Sequence, residues 1–235
     1  MCGRIAQAFP EGSFDRLLGS SGAVVSHVER WNVAPGNAVL AVCRGEGRSR
    51  VLCTADWGFL APWEKIPELA KIRPINAKAE TVASNKMFST AFRTRRCLVP
   101  VRCWYEWKPV APGLKQPYAM GRTDGQPITL GGIISLHRPH RDFPAELSLA
   151  IITTPAPDAL ADIHGRAPLV VAEADWPIWL GEVSGDPSAI LARSAAGEVP
   201  AWPVSRTVNR VGTDGPGLID PVEIEAETMA TEGHP

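Results

Sequence analysis

Two apolar runs, "AVLAVCR" and "RSRVLCTADWGFL", flank the glycine-bearing "GEG" at residues 45–47 and predict a β-hairpin. Upstream, "SFDRLL" has a short helical period with Ser13 placed to cap it. After the proline-punctuated "APWEKIPELAKIRP", Thr81 is positioned to cap a helix running through "VASNKMFSTAFRTR". The pattern then returns to strands. "CLVPV", "CWYEWKP", "QPYAMGR", "PITLGGIISLHR" and "LSLAIITTP" are short β candidates separated by turn signals such as "TDGQ". Later segments predict a short helix at "PDALADIHG", a strand at "APLVVA", helices at "ADWPIWLG" and "DPSAILARS", and an extended "VPAWPVS". The order shows neither regular βαβ alternation nor an internal repeat. It predicts an α+β fold, a mainly antiparallel, barrel-like sheet with peripheral helices.

Composition narrows the class. With 235 residues, 45% of them hydrophobic, the chain can bury the core of one domain, expected over residues 1–221. The segment 222–235 is acidic, free of aromatics and reads as a disordered tail. No apolar run reaches the roughly 18 residues of a membrane span, and "MCGRIAQAFPEG" lacks the features of a secretion signal. A cytoplasmic protein with no membrane partner is expected. The five cysteines include no C-x-x-C pair and no histidine at zinc-ligand spacing, which argues against disulfides and structural zinc. Those beyond Cys2 lie in apolar stretches and read as buried, inert thiols. The net charge of −1 hides a basic body, since residues 73–102 hold seven Lys or Arg against one Glu. Such a patch attracts an anionic backbone, although charge runs also make ordinary solvated faces.

Four stretches carry candidate chemistry. In "MCGR" a small second residue marks Met1 for removal, which would leave Cys2 with a free α-amine beside its thiol. A 1,2-aminothiol condenses with an aldehyde and closes a thiazolidine ring; a second-position cysteine without function is the alternative. In "INAKAET", Asn76, Lys78 and Glu80 alternate with apolar residues, projecting three polar groups from one face. A half-buried edge strand shows the same alternation. In "RCWYEWK", aromatics flank Glu106 and can raise its pKa for proton transfer, unless an arginine pairs with it. In "DIHGRAPLVV", His164 and Arg166 stand between a helix and a strand, where a histidine serves either acid/base work or structure.

The ordered set "MCGR", "WNVAPG", "INAKAET", "RRCLVPVRCWYEWK", "QPYAM", "IITTPAP", "IHGRAPLVV" and "PVSRTVN" resembles the SRAP family, the SOS response-associated peptidases, from Cys2 to about Asp220. The resemblance implies a sensor of abasic sites in single-stranded DNA, in which Cys2 forms a covalent thiazolidine with the ring-opened sugar and shields the lesion. It implies Asn76, Glu106 and His164 as the other active-site residues. Arg4, Pro35, Lys78, Trp107 and Arg166 become candidate DNA contacts. A monomer is implied, with no cofactor or metal and with the replication machinery as a further partner. An N-terminal-nucleophile peptidase or amidase using Cys2 is the alternative. The chain departs from the family pattern with Lys78 where Arg is usual, with Cys103-Trp104 before "YEW", and with Gly165 where Asp commonly follows the histidine.

Overall fold

The computed structural model describes residues 2–9, 17, 19, 28–45, 47, 49–64, 70, 72–137 and 146–224. The helix expected at 13–18 therefore lies outside the described residues apart from Leu17, as does the acidic tail beyond residue 224. Among the described residues, no helix is long and apolar enough to cross a membrane.

The sequence "ELSLAIITTP" forms β10 (Glu146–Pro155), and its near-continuous apolar run reflects burial on both faces. Leu149 and Ile151 belong to one apolar cluster, Ala150 and Ile152 to another. The first half of β10 pairs antiparallel with β9 (Ile128–His137) and parallel with β4 (Arg50–Trp57). The expected hairpin joins β4 to β3 (Ala38–Arg44), β3 pairs with β6 (Arg96–Val101), and β6 pairs with β9. The circuit β10–β4–β3–β6–β9–β10 thus closes a five-stranded barrel.

Beyond the barrel, β10 continues with new partners. Its second half pairs parallel with β5 (Asn76–Lys78) and antiparallel with β11 (Arg166–Pro168). Through Arg102 the chain runs from β6 into β7 (Cys103–Ala111), the centre of a second, antiparallel sheet. Its order is β12 (Ala201–Pro203), β8 (Leu114–Gly121), β7, β1 (Ile5–Gln7) and β2 (Arg30–Val33). The two-residue period of β7 turns Trp104 into the barrel-side cluster and Tyr105 into a third cluster with Val204 and Val208.

Two local expectations need correction. The single helix capped by Thr81 is two, Ala79–Val82 and Ser89–Thr94, and Thr81 lies inside the first. Asn85 makes the break: its Oδ1 accepts from Met87 N at 2.9 Å and its carbonyl accepts from Ser89 N at 2.8 Å, a local alternative to continuing the helix. The polar alternation at 76–80 also ends at Lys78, because Glu80 is already helical. Downstream helices form near their expected positions. Trp176–Leu180 stops at Gly181, whose φ of 76° is the left-handed conformation of a helix C-terminus. Asp186 caps Pro187–Leu191 by accepting from Ser188 N at 2.8 Å.

The glycines of "LGGIISL" admit this packing. A Cβ at Gly131 would stand 2.7 Å from Leu169 Cδ2 and 3.0 Å from Trp179 Cζ2. Trp179, fully buried, donates its indole N–H to the Cys97 carbonyl at 2.8 Å and fastens its helix to the barrel wall. Gly131→Ala should therefore overpack this contact and cost about 1–3 kcal/mol. Urea unfolding should show a lowered midpoint; an unchanged midpoint would contradict this packing.

Candidate active site

Cys2 enters just ahead of β1. The ladder pairs Ile5 with Trp104 and Ala6 with Cys103, and Tyr105 N donates to the Arg4 carbonyl at 3.0 Å. Continued by two residues, that register brings Cys2 alongside the Glu106–Trp107 end of β7. Cys2 is fully buried, and Asn76 Nδ2 donates to its carbonyl oxygen at 2.8 Å. Asn76 is held in turn by β5 against β10. Its Oδ1 is buried and has no hydrogen-bond partner among the described residues.

Glu106 is 4% exposed. Burial pushes its carboxyl up to about 7, partly opposed by the positive N-terminus of the chain. The Cys2 thiol is driven well above the ordinary thiol range, first by burial and then by the charge of Glu106. His164 and Glu106 line one small cavity of about 10 Å³ with Trp104, Met120, Leu160 and Arg166. That is room for about one water-sized oxygen.

His164 follows the short helix Asp158–Ala161. Arg166 N donates to His164 Nδ1 at 3.0 Å, and the Arg166 carbonyl lies 3.1 Å from the same nitrogen. Backbone thus orients the ring where an aspartate at 165 is commoner in the family pattern. Gly165 itself faces open space. Burial, the N-terminal charge, Lys115 and Arg166 together lower the His164 pKa. The ring is thereby pushed towards its neutral form, with Nδ1 in reach of both the N–H and the carbonyl of Arg166.

The structure therefore gathers Cys2, Asn76, Glu106 and His164. The candidate DNA contacts are dispersed around them. Arg166 lines the same cavity, but its guanidinium is bonded to both carboxylate oxygens of Glu80 and to Thr153. Lys78 is exposed at the end of β5. Arg4 points to the other face of β7: its Nη1 donates to Asn32 Oδ1 at 2.6 Å and to the Val208 carbonyl at 2.9 Å, and its guanidinium sits 5.7 Å from the Trp107 ring centre. Trp107 in turn donates to Asn209 Oδ1 at 2.7 Å. Pro35 is half-buried in the turn Ala34–Asn37, where Gly36 has a φ of 83°. Gly36 N donates to the Trp57 carbonyl, and Trp57 Nε1 reaches the Ile75 carbonyl beside Asn76.

Sequence reasoning passed over Trp104 and Met120 in the cavity wall and Thr153 behind Arg166. Trp104 is fully buried, and its Nε1 has no partner among the described residues. Its place was legible, because the two-residue period of β7 puts it on the same face as Glu106.

Comparison with known proteins shows the family and the fold. Residues 1–211 match the profile of the family described as SOS response associated peptidase, SRAP. The chain belongs to the SRAP family. Among SRAP relatives it is 35% identical to the abasic site processing protein YedK of Escherichia coli, over 94% of this chain and 100% of that one. It is 28% identical to the abasic site processing protein YoqW of Bacillus subtilis, over 81% and 85% of the two chains. A crystal structure of a Bacteroides thetaiotaomicron protein shares the fold, with a TM-score of 0.80 at 18% identity, covering 94% of this chain and 100% of that one.

The Glu106 carboxyl has a consequence for stability. An ordinary glutamate titrates near 4.5, Glu106 at about 7. Between those values the folded chain holds a proton that the unfolded chain releases. The stability so gained is complete at pH below about 4.5 and is lost as pH rises through about 7. Glu106→Gln should flatten stability against pH over this window. At pH 8 it should be more stable than the parent by up to about 3 kcal/mol in urea unfolding.

Proposed function

We propose that this protein processes abasic sites in single-stranded DNA by cross-linking itself to them through Cys2 after loss of Met1. The observation that carries the reading is the convergence on Cys2 of the Asn76 amide, 2.8 Å from its carbonyl, and the buried Glu106 carboxyl acting on its thiol. The names of the similar Escherichia coli and Bacillus subtilis proteins support the substrate.

The chemistry starts at the amine. A free α-amine, with a pKa of about 7.7 to 8.0, is partly neutral near pH 7 and can attack C1′ of the ring-opened sugar. The C–N bond forms and the carbonyl oxygen takes a proton, giving a carbinolamine. Loss of water then gives an imine. The Cys2 sulfur adds to the imine carbon while its proton passes to nitrogen, closing the five-membered ring. One water is released overall. Glu106, poised near 7, both accepts and returns protons along this sequence. His164, whose ring is pushed towards its neutral form, serves as proton donor to the sugar oxygen during ring opening. Asn76 fixes the Cys2 carbonyl and so the direction of the amine.

The raised thiol pKa favours this order over the peptidase alternative. A peptidase cysteine attacks as a thiolate and sits where its pKa is depressed; burial and Glu106 do the opposite to Cys2. On the Trp107 face of β7, a groove of about 790 Å³ lined by Trp107, Lys115 and Arg206 offers an aromatic face and two cations to a single strand.

The test is a denaturing gel of protein mixed with a single-stranded oligonucleotide bearing one abasic site. A heat-stable shifted band is expected, absent for Cys2→Ala. No band from protein whose mass shows Cys2 at the N-terminus would refute the proposal, and Cys2-dependent turnover of a peptide would favour the alternative. Glu106→Gln should slow cross-linking by about 10²-fold or more. It should also remove the rise in rate as pH passes about 7, where Glu106 ionises.

A further inference from the structure

Of the four cysteines expected to be buried and inert, Cys43 and Cys53 are only half-buried. On the β3–β4 ladder Ala41 faces Cys53 and Cys43 faces Val51, so Cys43 and Cys53 share one face of the hairpin, a diagonal step apart. Their Sγ atoms are 2.8 Å from each other, closer than two sulfurs in simple packing contact. Both side chains are half-buried, whereas Cys97, opposite Cys43 on β6, is fully buried.

The pair opens on a cleft of about 230 Å³ whose wall includes Arg44, Arg95 and Arg96. Backbone carbonyls fix these arginines: Arg44 Nη1 donates to Gly181 O at 2.6 Å, Arg95 Nε to Ile134 O at 3.3 Å, and Arg96 Nε to Trp179 O at 2.5 Å. No carboxylate is among the described residues lining the cleft. Partial exposure to the cleft leaves both sulfurs reachable by a small oxidant, unlike the buried Cys97. Within the pair, the hydrogen bond from Cys43 holds Cys53 below the ordinary thiol range and pushes Cys43 above it. Among the described residues, no three His, Cys, Asp or Glu side chains are placed to hold a metal ion, so the chemistry here is the thiols' own.

We propose that Cys43 and Cys53 form a redox-active dithiol, which peroxide closes to an intramolecular disulfide and small thiols reopen. The Cys53 thiolate attacks the peroxide; an S–O bond forms, the O–O bond breaks, and the departing hydroxide takes up a proton to leave as water. This yields a sulfenic acid on Cys53. Cys43 then attacks that sulfur, the S–S bond forms, the S–O bond breaks, and the Cys43 proton leaves with the hydroxyl as a second water. Two electrons pass from the sulfurs to the peroxide. A thiol reductant reverses the closure by exchange through a mixed disulfide. The pair lies on strands that carry none of Cys2, Asn76, Glu106 and His164, so the proposal stands independently of the cross-linking reading.

Peptide mapping of the full chain after hydrogen peroxide and alkylation of the remaining thiols tests it. A linked peptide joining Cys43 to Cys53, about 2 Da lighter than the two thiols together, is expected, and dithiothreitol should abolish it. Cys43→Ser should give no linked peptide and leave Cys53 as a sulfenic acid that a dimedone probe captures. Absence of the link in peroxide-treated parent protein that stays folded by circular dichroism would overturn the proposal. So would a link from either residue to Cys97 or Cys2 in place of the expected one.

Discussion

The geometry of the candidate site depends on β10 serving two structures with one strand. Residues 146–151 complete the barrel against β9, and residues 151–155 hold β5 and β11 outside it. A strand's backbone groups must be paired wherever they are buried, so leaving the barrel obliges β10 to recruit new neighbours. Those neighbours carry Asn76, Lys78 and Arg166. The overlap at Ile151, paired with Gly132 on one side and Asn76 on the other, leaves little freedom to slide. A one-residue slip would turn Asn76 away from Cys2, because side chains alternate with period two.

Burial acts on the gathered groups in one direction. Desolvation is the first cause of the upward shifts at Cys2 and Glu106 and of the downward shift at His164. Each is pushed towards its neutral form. Near pH 7 such a site holds a protonated thiol, a carboxyl close to half-ionised and a neutral imidazole. That combination suits proton transfer in small steps and disfavours a standing thiolate. The same low-polarity surroundings make the Asn76 contact to Cys2 more valuable, since an unpaired carbonyl there would be costly.

Much of this was legible before the fold was known. Hydrophobic runs located the β3–β4 hairpin and the strands from β6 to β10, and in β6, β9 and β10 the near-continuous apolar content reflects burial on both faces. The chemical residues stood out as polar groups inside apolar or turn-forming stretches. Thr81 misled because its capping signal is local, whereas the break is made four residues later by Asn85 bonding to its own turn. The cysteines show a different limit: composition reports how buried a thiol is, not which thiol it meets. Cys43 and Cys53 are ten residues apart, and only the ladder register brings their sulfurs together.

Arginines show the same limit, and energetics separates two that the sequence treats alike. Arg4 bonds to buried Asn32 and to the Val208 carbonyl, so turning it towards a phosphate would strip Asn32 of a partner in the interior. Such a loss costs about 1–3 kcal/mol. Arg166 is held by Glu80, whose side chain is 46% exposed, and by the buried Thr153 through its carbonyl and hydroxyl. An exposed pair of this kind contributes about 0–1 kcal/mol, because water replaces the arginine at little cost to the carboxylate. Its guanidinium Nε is also buried with no partner among the described residues. The Glu80 arm can therefore be given up at little cost, while the Thr153 bonds and the Arg166 backbone, which orients His164, stay in place. Of the two, Arg166 has one replaceable partner, Glu80, while Arg4 braces Trp107 and the start of β1.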